Sequence, residues 1–212
     1  MSAGAEVDER PPPLLLEWGV AVRPLRGETQ SGDAAVVRFC GETALVAACD
    51  GLGHGPDAAR AAAAAAAVLE QFEGEDVVSL AHRCDEALRT TRGAAISLAV
   101  FSASPAAVTW VGIGNVEGRV VRGSLSGPGQ SQSLTLHPGI AGEGLPPLHA
   151  VTLPVARGDT LLFATDGVHD RFADWLVPVG PPEEIAERIV DEHSKSTDDA
   201  LVLVARYLGA RP

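Results

Sequence analysis

Cysteine, basic residues and long apolar runs are scarce in this sequence, and each shortage excludes a class of protein. The three cysteines, Cys40, Cys49 and Cys84, form no C-x-x-C pair, which argues against a disulfide framework and against a zinc site. We expect each of them to be a small buried apolar residue. Lys and Arg number 16 against 28 Asp and Glu, so neither nucleic acid nor an anionic membrane surface is expected as a partner.

The chain also lacks the signals of export, membrane insertion and nucleotide binding. No apolar run approaches the roughly 18 residues needed to span a bilayer, and the acidic, proline-rich residues 1–13 contain no signal-peptide core. We therefore expect a cytoplasmic protein with a disordered tail over residues 1–13 and one domain over residues 14–208. No P-loop motif G-x-x-x-x-G-K-S/T occurs, which disfavours a nucleotide-binding enzyme.

Hydrophobic periodicity predicts an α+β domain in which helices cover antiparallel sheet. Strands are expected before and after a central pair of helices, and the three strands that follow the pair are predicted to form an antiparallel meander. The expected strands cover residues 14–22, 34–40, 44–49, 94–102, 107–113, 116–122, 134–136, 149–155, 160–165 and 200–207. The expected helices cover residues 57–72, 76–91, 169–175 and 182–193, and a Gly/Ser-rich mobile loop covers residues 123–133.

A carboxylate and three alternate glycines join a buried strand to a helix in the stretch C-D-G-L-G-H-G-P-D, residues 49–57. Glycines let the backbone approach a small charged group, here either a metal ion or a phosphate. A dinucleotide fingerprint would need a glycine where Pro56 stands and an acid after the loop. An alternative interpretation is a tight turn in which Asp50 caps the following helix.

Acidic residues stand at the tips of several apolar runs: Asp33, Asp50, Asp166 and the pair Asp198-Asp199. If these acids converge at one sheet edge, they repel one another unless a cation neutralises them. Oxygen-only ligands favour Mg²⁺ or Mn²⁺. Two such ions held by shared carboxylates can orient a water for in-line attack on phosphorus. The residue after Asp50 is a glycine, whose carbonyl can turn toward a metal.

The order and approximate spacing of these motifs resemble those of the PPM family of metal-dependent serine/threonine protein phosphatases, in its SpoIIE-like branch. The motifs are S-G-D at residues 31–33, D-G-L-G-H-G at 50–55, A-T-D-G at 164–167 and D-D at 198–199. The resemblance covers about residues 16–208. The segments R-G-A at residues 92–94 and G-I-G-N-V-E-G at 112–118 also resemble the short RsbX-type stressosome phosphatases.

The resemblance implies a four-layer α-β-β-α sandwich, two antiparallel sheets flanked by helices, with two Mn²⁺ or Mg²⁺ ions at one edge between the sheets. It implies that Asp50 bridges the metals and that the Gly51 carbonyl binds one of them. Asp33 would ligate the second metal directly or through water, and Asp166 and Asp198 would complete the first site. Asp50 and Asp166 are the expected catalytic residues, and the metal ligands are expected to be Asp33, Asp50, Gly51, Asp166, Asp198 and, as a less defined neighbour, Asp199. The family commonly continues with a small residue and Thr, whereas this chain has Ala200-Leu201.

The implied reaction is hydrolysis of phosphoserine or phosphothreonine on a signalling protein, expected to be a phosphorylated STAS-domain protein of a stress-response or partner-switching module. Two alternatives stay open: a catalytically silent PPM-like domain that binds a phosphoprotein, and a scaffold that binds metal for stability. His54 is expected either to donate a proton to the leaving group or to orient its loop, and His169 is a second candidate. Asn115 is expected to be structural or substrate-facing.

Overall fold

The computed structural model describes residues 15–123, 131–169 and 179–209. The strands are β1 Leu16–Arg23, β2 Asp33–Cys40, β3 Thr43–Gly51, β4 Ala94–Ser102, β5 Ala107–Ile113, β6 Glu117–Val121, β7 Ser131–Ser133, β8 Leu136–His137, β9 Val151–Pro154, β10 Thr160–Ala164 and β11 Ala200–Tyr207. The helices are α1 Pro56–Leu69, α2 Val77–Leu88 and α3 Pro182–His193. The strands form two sheets, ordered β1-β11-β10-β6-β7 and β2-β3-β4-β5-β8, and β9 pairs with β5.

Alternate residues of the central strands face two different cores, and this alternation builds the layers. On β3, Val46 packs between the sheets, whereas its neighbour Leu45 packs under α1 and α2. On β11, Leu203 packs between the sheets and Val202 packs under α3. Strands covered on both faces are apolar along their whole length, as these are. The predicted α+β four-layer sandwich is therefore confirmed, and the strand pairs in the described part of the chain are antiparallel except for β5 with β8.

Small residues let the helices lie close to the sheets. The alanine run of α1 buries Ala58, Ala61 and Ala65 completely. A Cβ on Gly19 of β1 would lie 2.2 Å from the backbone of Glu183, so α3 begins in direct contact with that strand. None of the helices in the described parts of the chain is both long and apolar enough to cross a membrane.

The predicted three-stranded meander is wrong in its third strand. β4 pairs with β5, but β6 crosses to the other sheet and pairs with β10. The crossing occurs at Gly114, which has φ +87° and whose Cβ, if present, would lie 2.6 Å from the Cβ of Ala95. The buried Ser97 hydroxyl fixes the crossing by donating to the Val116 carbonyl at 2.7 Å.

Three sequence predictions concern regions that the structure describes only in part or leaves undescribed. The tail over residues 1–13 lies wholly outside the described residues. The helix expected over residues 169–175 and the loop expected over residues 123–133 lie mostly outside them. Elsewhere, the helices expected over residues 57–72 and 76–91 end a few residues earlier than predicted.

Candidate active site

Asp33 and Asp50 are cross-strand neighbours at one end of the β2–β3 pair. β2 begins at Asp33, β3 ends one residue after Asp50, and the antiparallel register places the two residues opposite each other. Side chains in such positions have Cβ atoms about 4.5–5.5 Å apart. Asp33 is 8% exposed and Asp50 is half-buried. The first two predicted site residues therefore lie together.

The other sheet brings its acids to the same region. Asp166 lies just beyond the end of β10, and Asp198 and Asp199 lie just before the start of β11. Because β10 and β11 are antiparallel, these positions share one sheet edge. The charges of Asp166, Asp198 and Asp199 each act on the pKa of Asp33 from the opposite sheet, so the predicted convergence of acids at one edge of the sandwich is what the structure shows.

Thr165 joins the two sheets at this edge. Its buried hydroxyl donates a hydrogen bond to Asp33 Oδ2 at 2.8 Å and accepts one from the backbone N–H of Leu201 at 2.9 Å. The hydroxyl therefore fixes one oxygen of Asp33 relative to β11. Thr165 was part of a recognised motif, but only the tertiary structure shows this contact.

Burial and mutual repulsion act on the pKa values of these carboxyls. For Asp33, burial raises the pKa from 3.8 to about 7, against the opposing effect of the Thr165 hydrogen bond. For Asp50, burial and then the neighbouring charges, of which Asp33 is the largest, raise the pKa to about 8. Burial also raises the pKa of Asp198, which a hydrogen bond from its neighbour and the nearby His54 act to lower. The folded protein therefore disfavours the charged forms of these acids.

Asp199 has surroundings different from those of the other acids. It is 3% exposed, and the backbone N–H of Leu25 donates to its Oδ1 at 2.7 Å. The backbone N–H of Gly32 donates to its Oδ2 at 2.9 Å. Both oxygens of Asp199 therefore hold backbone of the loop between β1 and β2.

The donor set fits a hard divalent cation by its chemistry. The acids that meet here supply oxygen only, as Mg²⁺ and Mn²⁺ prefer, and a bound cation would relieve their repulsion. Within residues 15–123, 131–169 and 179–209, however, no three Asp, Glu, His or Cys side chains are arranged so that they could hold a metal ion. The metal roles of Asp33, Asp50, Gly51, Asp166, Asp198 and Asp199 stay predictions.

The glycine turn has a packing role that the sequence did not indicate. A Cβ on Gly51 would lie 2.2 Å from the carbonyl oxygen of Ala58, because α1 starts directly over the end of β3. Gly53 and Gly55 have φ of +86° and +74°, which side chains disfavour. The residue that caps α1 is Gly55, with no side-chain cap, so the alternative in which Asp50 caps this helix is wrong.

The histidine candidates are exposed. The His54 side chain is 61% exposed, and its Nδ1 lies 3.3 Å from Glu28 Oε1, which joins the glycine turn to the loop between β1 and β2. His169 is exposed, and its backbone N–H donates to the His193 carbonyl at 2.9 Å, at the C-terminal end of α3. Of the two, His54 is the one whose charge acts on a site acid.

Asp166 has two contacts that the sequence analysis missed. The side-chain amide of Asn115 donates to Asp166 Oδ2 at 2.7 Å, so Asn115 adjoins the acids and is not merely a turn residue. The ammonium of Lys195 donates to the backbone carbonyl of Asp166. A usable signal existed for Lys195, which is the one lysine of the sequence and stands three residues before Asp198.

Several solved structures share this architecture. A chain from the bacterial stressosome, described as a modular system adapted to control secondary messenger signalling, has a TM-score of 0.80 and 30% identity over 90% of this chain and 99% of that one. RsbX in complex with magnesium has a TM-score of 0.76 and 22% identity over 91% of this chain and 95% of RsbX. The structure of the PP2C phosphatase domain and a fragment of the regulatory domain of SpoIIE from Bacillus subtilis has a TM-score of 0.74 and 21% identity, over 93% of this chain and 64% of that one. The chain therefore has the PP2C-type fold of PPM phosphatase domains.

Sequence comparison defines the family. The model of the stage II sporulation protein E (SpoIIE) family matches residues 41–208, and the chain belongs to this family. Phosphoserine phosphatase RsbX of Bacillus subtilis (strain 168) is 32% identical over 90 residues, which is 42% of this chain and 45% of RsbX. The resemblance to the SpoIIE-like branch, with similarity to RsbX, is confirmed, although the aligned segment spans less than half of this relative.

Proposed function

We propose that this protein is a metal-dependent phosphatase that hydrolyses phosphoserine or phosphothreonine on a signalling protein. The observation that carries the proposal is the meeting of acids from both sheets at one edge, where burial and repulsion raise the pKa of Asp33 to about 7 and that of Asp50 to about 8. Such a group of carboxylates favours a bound cation over open solvent. Membership of the SpoIIE family and the partial match to a phosphoserine phosphatase support it.

The proposed ligand roles follow the family resemblance. Asp50 would hold both of two Mn²⁺ or Mg²⁺ ions. The Gly51 carbonyl would hold one of them, Asp33 the second, and Asp166 and Asp198 the first. When bound, such ions lower the pKa of a coordinated water and neutralise charge on the phosphoryl group. The magnesium in the RsbX structure supports a hard divalent ion without choosing between the two.

Neighbouring residues hold the ligands in place. Thr165 occupies Asp33 Oδ2 and Asn115 occupies Asp166 Oδ2, so the other oxygen of each carboxylate is left for a ligand role. Partners of this kind orient metal ligands and raise metal affinity. His54 is exposed beside the acids and is proposed as the proton donor to the leaving alkoxide, for which a neutral variant, His54→Gln, provides the test through the pH dependence of kcat.

The proposed substrate is a phosphorylated STAS-domain protein of a stressosome or a related partner-switching module. The similarity to a stressosome chain along nearly its whole length and to RsbX supports this choice. The net charge of −12 suits a protein partner better than a nucleic acid. Phosphate release from a phosphorylated STAS protein, compared with an unrelated phosphoprotein, tests the selectivity.

The decisive experiment is hydrolysis of an aryl phosphate by metal-stripped protein with and without Mn²⁺. We expect turnover to appear with Mn²⁺, to fall by several orders of magnitude in Asp50→Asn, and to persist in Asp191→Asn, a control carboxylate that is exposed on α3. If Mn²⁺ raises the melting temperature but neither the aryl phosphate nor a phosphorylated STAS protein is hydrolysed, the silent binding domain replaces the phosphatase proposal.

A further inference from the structure

The carboxylate of Asp199 closes the loop between β1 and β2. Its two oxygens accept the backbone N–H groups of Leu25 and Gly32 at 2.7 and 2.9 Å, and these donors stand near the two ends of that loop. Hydrogen bonds from N–H groups to an ionised carboxylate are among the stronger ones in proteins. The two bonds link the start of β11 to a segment more than 160 residues earlier in the chain.

Asp198, the adjacent acid, makes no comparable contact with distant backbone in the described residues. Its Oδ1 accepts the backbone N–H of its own neighbour, Asp199, at 2.9 Å, and its side chain is half-buried. Within the described part of the chain, Asp198 therefore makes no bond to distant backbone and lies within the influence of the Asp166 charge, whereas both oxygens of Asp199 accept hydrogen bonds from the loop. Two consecutive aspartates, Asp198 and Asp199, therefore have different surroundings.

Glycines allow the chain to close around Asp199. A Cβ on Gly32 would lie 3.0 Å from Asp199 Oδ2 and 2.8 Å from the Cβ of Ala58. The Gly32 carbonyl in turn accepts the backbone N–H of Gly51 at 2.9 Å. Gly32 directly precedes Asp33, so the Asp199 carboxylate fixes the backbone next to one predicted ligand and in contact with another.

We infer that Asp199 is a positioning residue that holds the loop of residues 24–32, and through Gly32 the ligands Asp33 and Gly51, and that it does not itself ligate the metal. This inference rests on the proposed metallophosphatase function. It assigns different roles to the two acids of the D-D motif: Asp198 faces the cation, and Asp199 holds the backbone that carries the ligands of the opposite sheet.

Three matched Asp→Asn variants test this assignment. Asp199→Asn replaces one acceptor oxygen by an N–H₂ group facing a backbone donor. Asp198→Asn removes the proposed ligand next to it. Asp159→Asn is the structural control, because Asp159 is also buried and accepts backbone N–H groups of Gly123 and Ala156 at 2.9 and 3.0 Å. It also accepts the Arg122 guanidinium at 2.7 Å, and it lies at the opposite end of β10, roughly 20 Å away along the strand.

The first readout is the melting temperature in EDTA. The second is the number and dissociation constant of bound Mn²⁺ ions, measured from the electron paramagnetic resonance signal of free Mn²⁺. We expect Asp199→Asn and Asp159→Asn both to lower the melting temperature. Of these two, only Asp199→Asn should weaken Mn²⁺ binding, by about 10- to 100-fold, with the number of ions unchanged. Asp198→Asn should not lower the melting temperature in EDTA. The inference is overturned if Asp199→Asn binds Mn²⁺ as Asp159→Asn does, or if it melts like wild type yet loses an ion.

A measurement on the unmodified protein covers the case in which Asp199→Asn does not fold. The amides of Leu25 and Gly32 should exchange slowly with solvent in metal-free protein and remain protected with Mg²⁺, because Asp199 keeps both hydrogen bonds. Loss of that protection on adding Mg²⁺ would show that Asp199 turns to the metal. A wild-type protein that binds neither Mn²⁺ nor Mg²⁺ overturns the proposed function, whereas unprotected amides in metal-free protein overturn the positioning role alone.

Discussion

Replacing Asp50 by Asn is expected to stabilise the metal-free protein and to remove its response to metal. Burial and the charges of neighbouring acids raise the pKa of Asp50 from 3.8 to about 8, so the folded state must keep a proton on this carboxyl at neutral pH or tolerate a repelled charge. Asn has the shape of the protonated acid and carries no charge. The substitution therefore removes an electrostatic penalty of the native state.

The size of the expected stabilisation follows from the linkage between proton binding and folding. A carboxyl with a pKa of 3.8 in the unfolded chain and about 8 in the native state lowers the free energy of unfolding at pH 7 by roughly 4 kcal/mol relative to acid pH. Asp50 is only half-buried, and solvent screening reduces the expected gain to about 1–3 kcal/mol. For a domain of this size that corresponds to a rise in melting temperature of about 3–9 °C.

The sign of the pH dependence distinguishes a raised pKa of Asp50 from other causes of a change in stability. The native state binds more protons than the unfolded state between pH 3.8 and about 8, so the stability of metal-free wild type falls as the pH rises through that window. The melting temperatures of Asp50→Asn and wild type should coincide near pH 4 and separate progressively toward pH 8. Calorimetric scans in EDTA, with the exposed-site variant Asp191→Asn as control, measure this. A variant that melts below wild type at pH 8, or a difference that is the same at pH 4, refutes the reasoning.

Three further predictions concern the same edge. Mn²⁺ should bind more tightly at pH 8 than at pH 6, because Asp33 and Asp50 have pKa values of about 7 and 8 and must lose their protons; calorimetry in buffers of different ionisation enthalpy should detect the released protons, and a pH-independent affinity would contradict it. Thr165→Val should weaken Mn²⁺ binding by about tenfold through loss of the bond to Asp33, whereas Thr165→Ser should bind as wild type does; equal affinities for Val and Ser would argue against the contact. Gly51→Ala should lower the free energy of unfolding by about 1–3 kcal/mol, since its Cβ would lie 2.2 Å from a carbonyl of α1; urea denaturation measures this, and wild-type stability would exclude that packing.

The convergence of Asp33 and Asp50 could be predicted because it depends on local pairing. The turn between Cys40 and Thr43 is tight, and those two residues pair. Counting seven residues back from Cys40 and seven forward from Thr43 reaches Asp33 and Asp50, so a hairpin places them opposite each other. The apolar residues of β2 and β3 predict the two strands, and the acids mark the strand ends, so this half of the site could be predicted from the sequence.

Features that depend on distant contacts could not be predicted in the same way. The apolar pattern of β6 fits either sheet, and its transfer to β10 follows from packing at Gly114 that no local signal specifies. Asp198 and Asp199 are the same residue type in the same turn, and only the backbone of Leu25 and Gly32, far away in sequence, makes them different. Asn115 likewise reaches Asp166 only because β6 changes sheets.

The position of the acids between the two sheets gives a bound cation a structural consequence. Asp33 and Asp50 belong to the sheet that carries α1 and α2, whereas Asp166 and Asp198 belong to the sheet that carries α3. A cation held by both pairs would join the sheets at the edge where the acids otherwise repel one another. Because such a cation binds the folded chain alone, it stabilises by RT ln(1 + [L]/Kd). The burial that destabilises the metal-free site is therefore also the source of its affinity, and stability and metal binding should change in opposite directions when Asp33, Asp50 or Asp198 is neutralised.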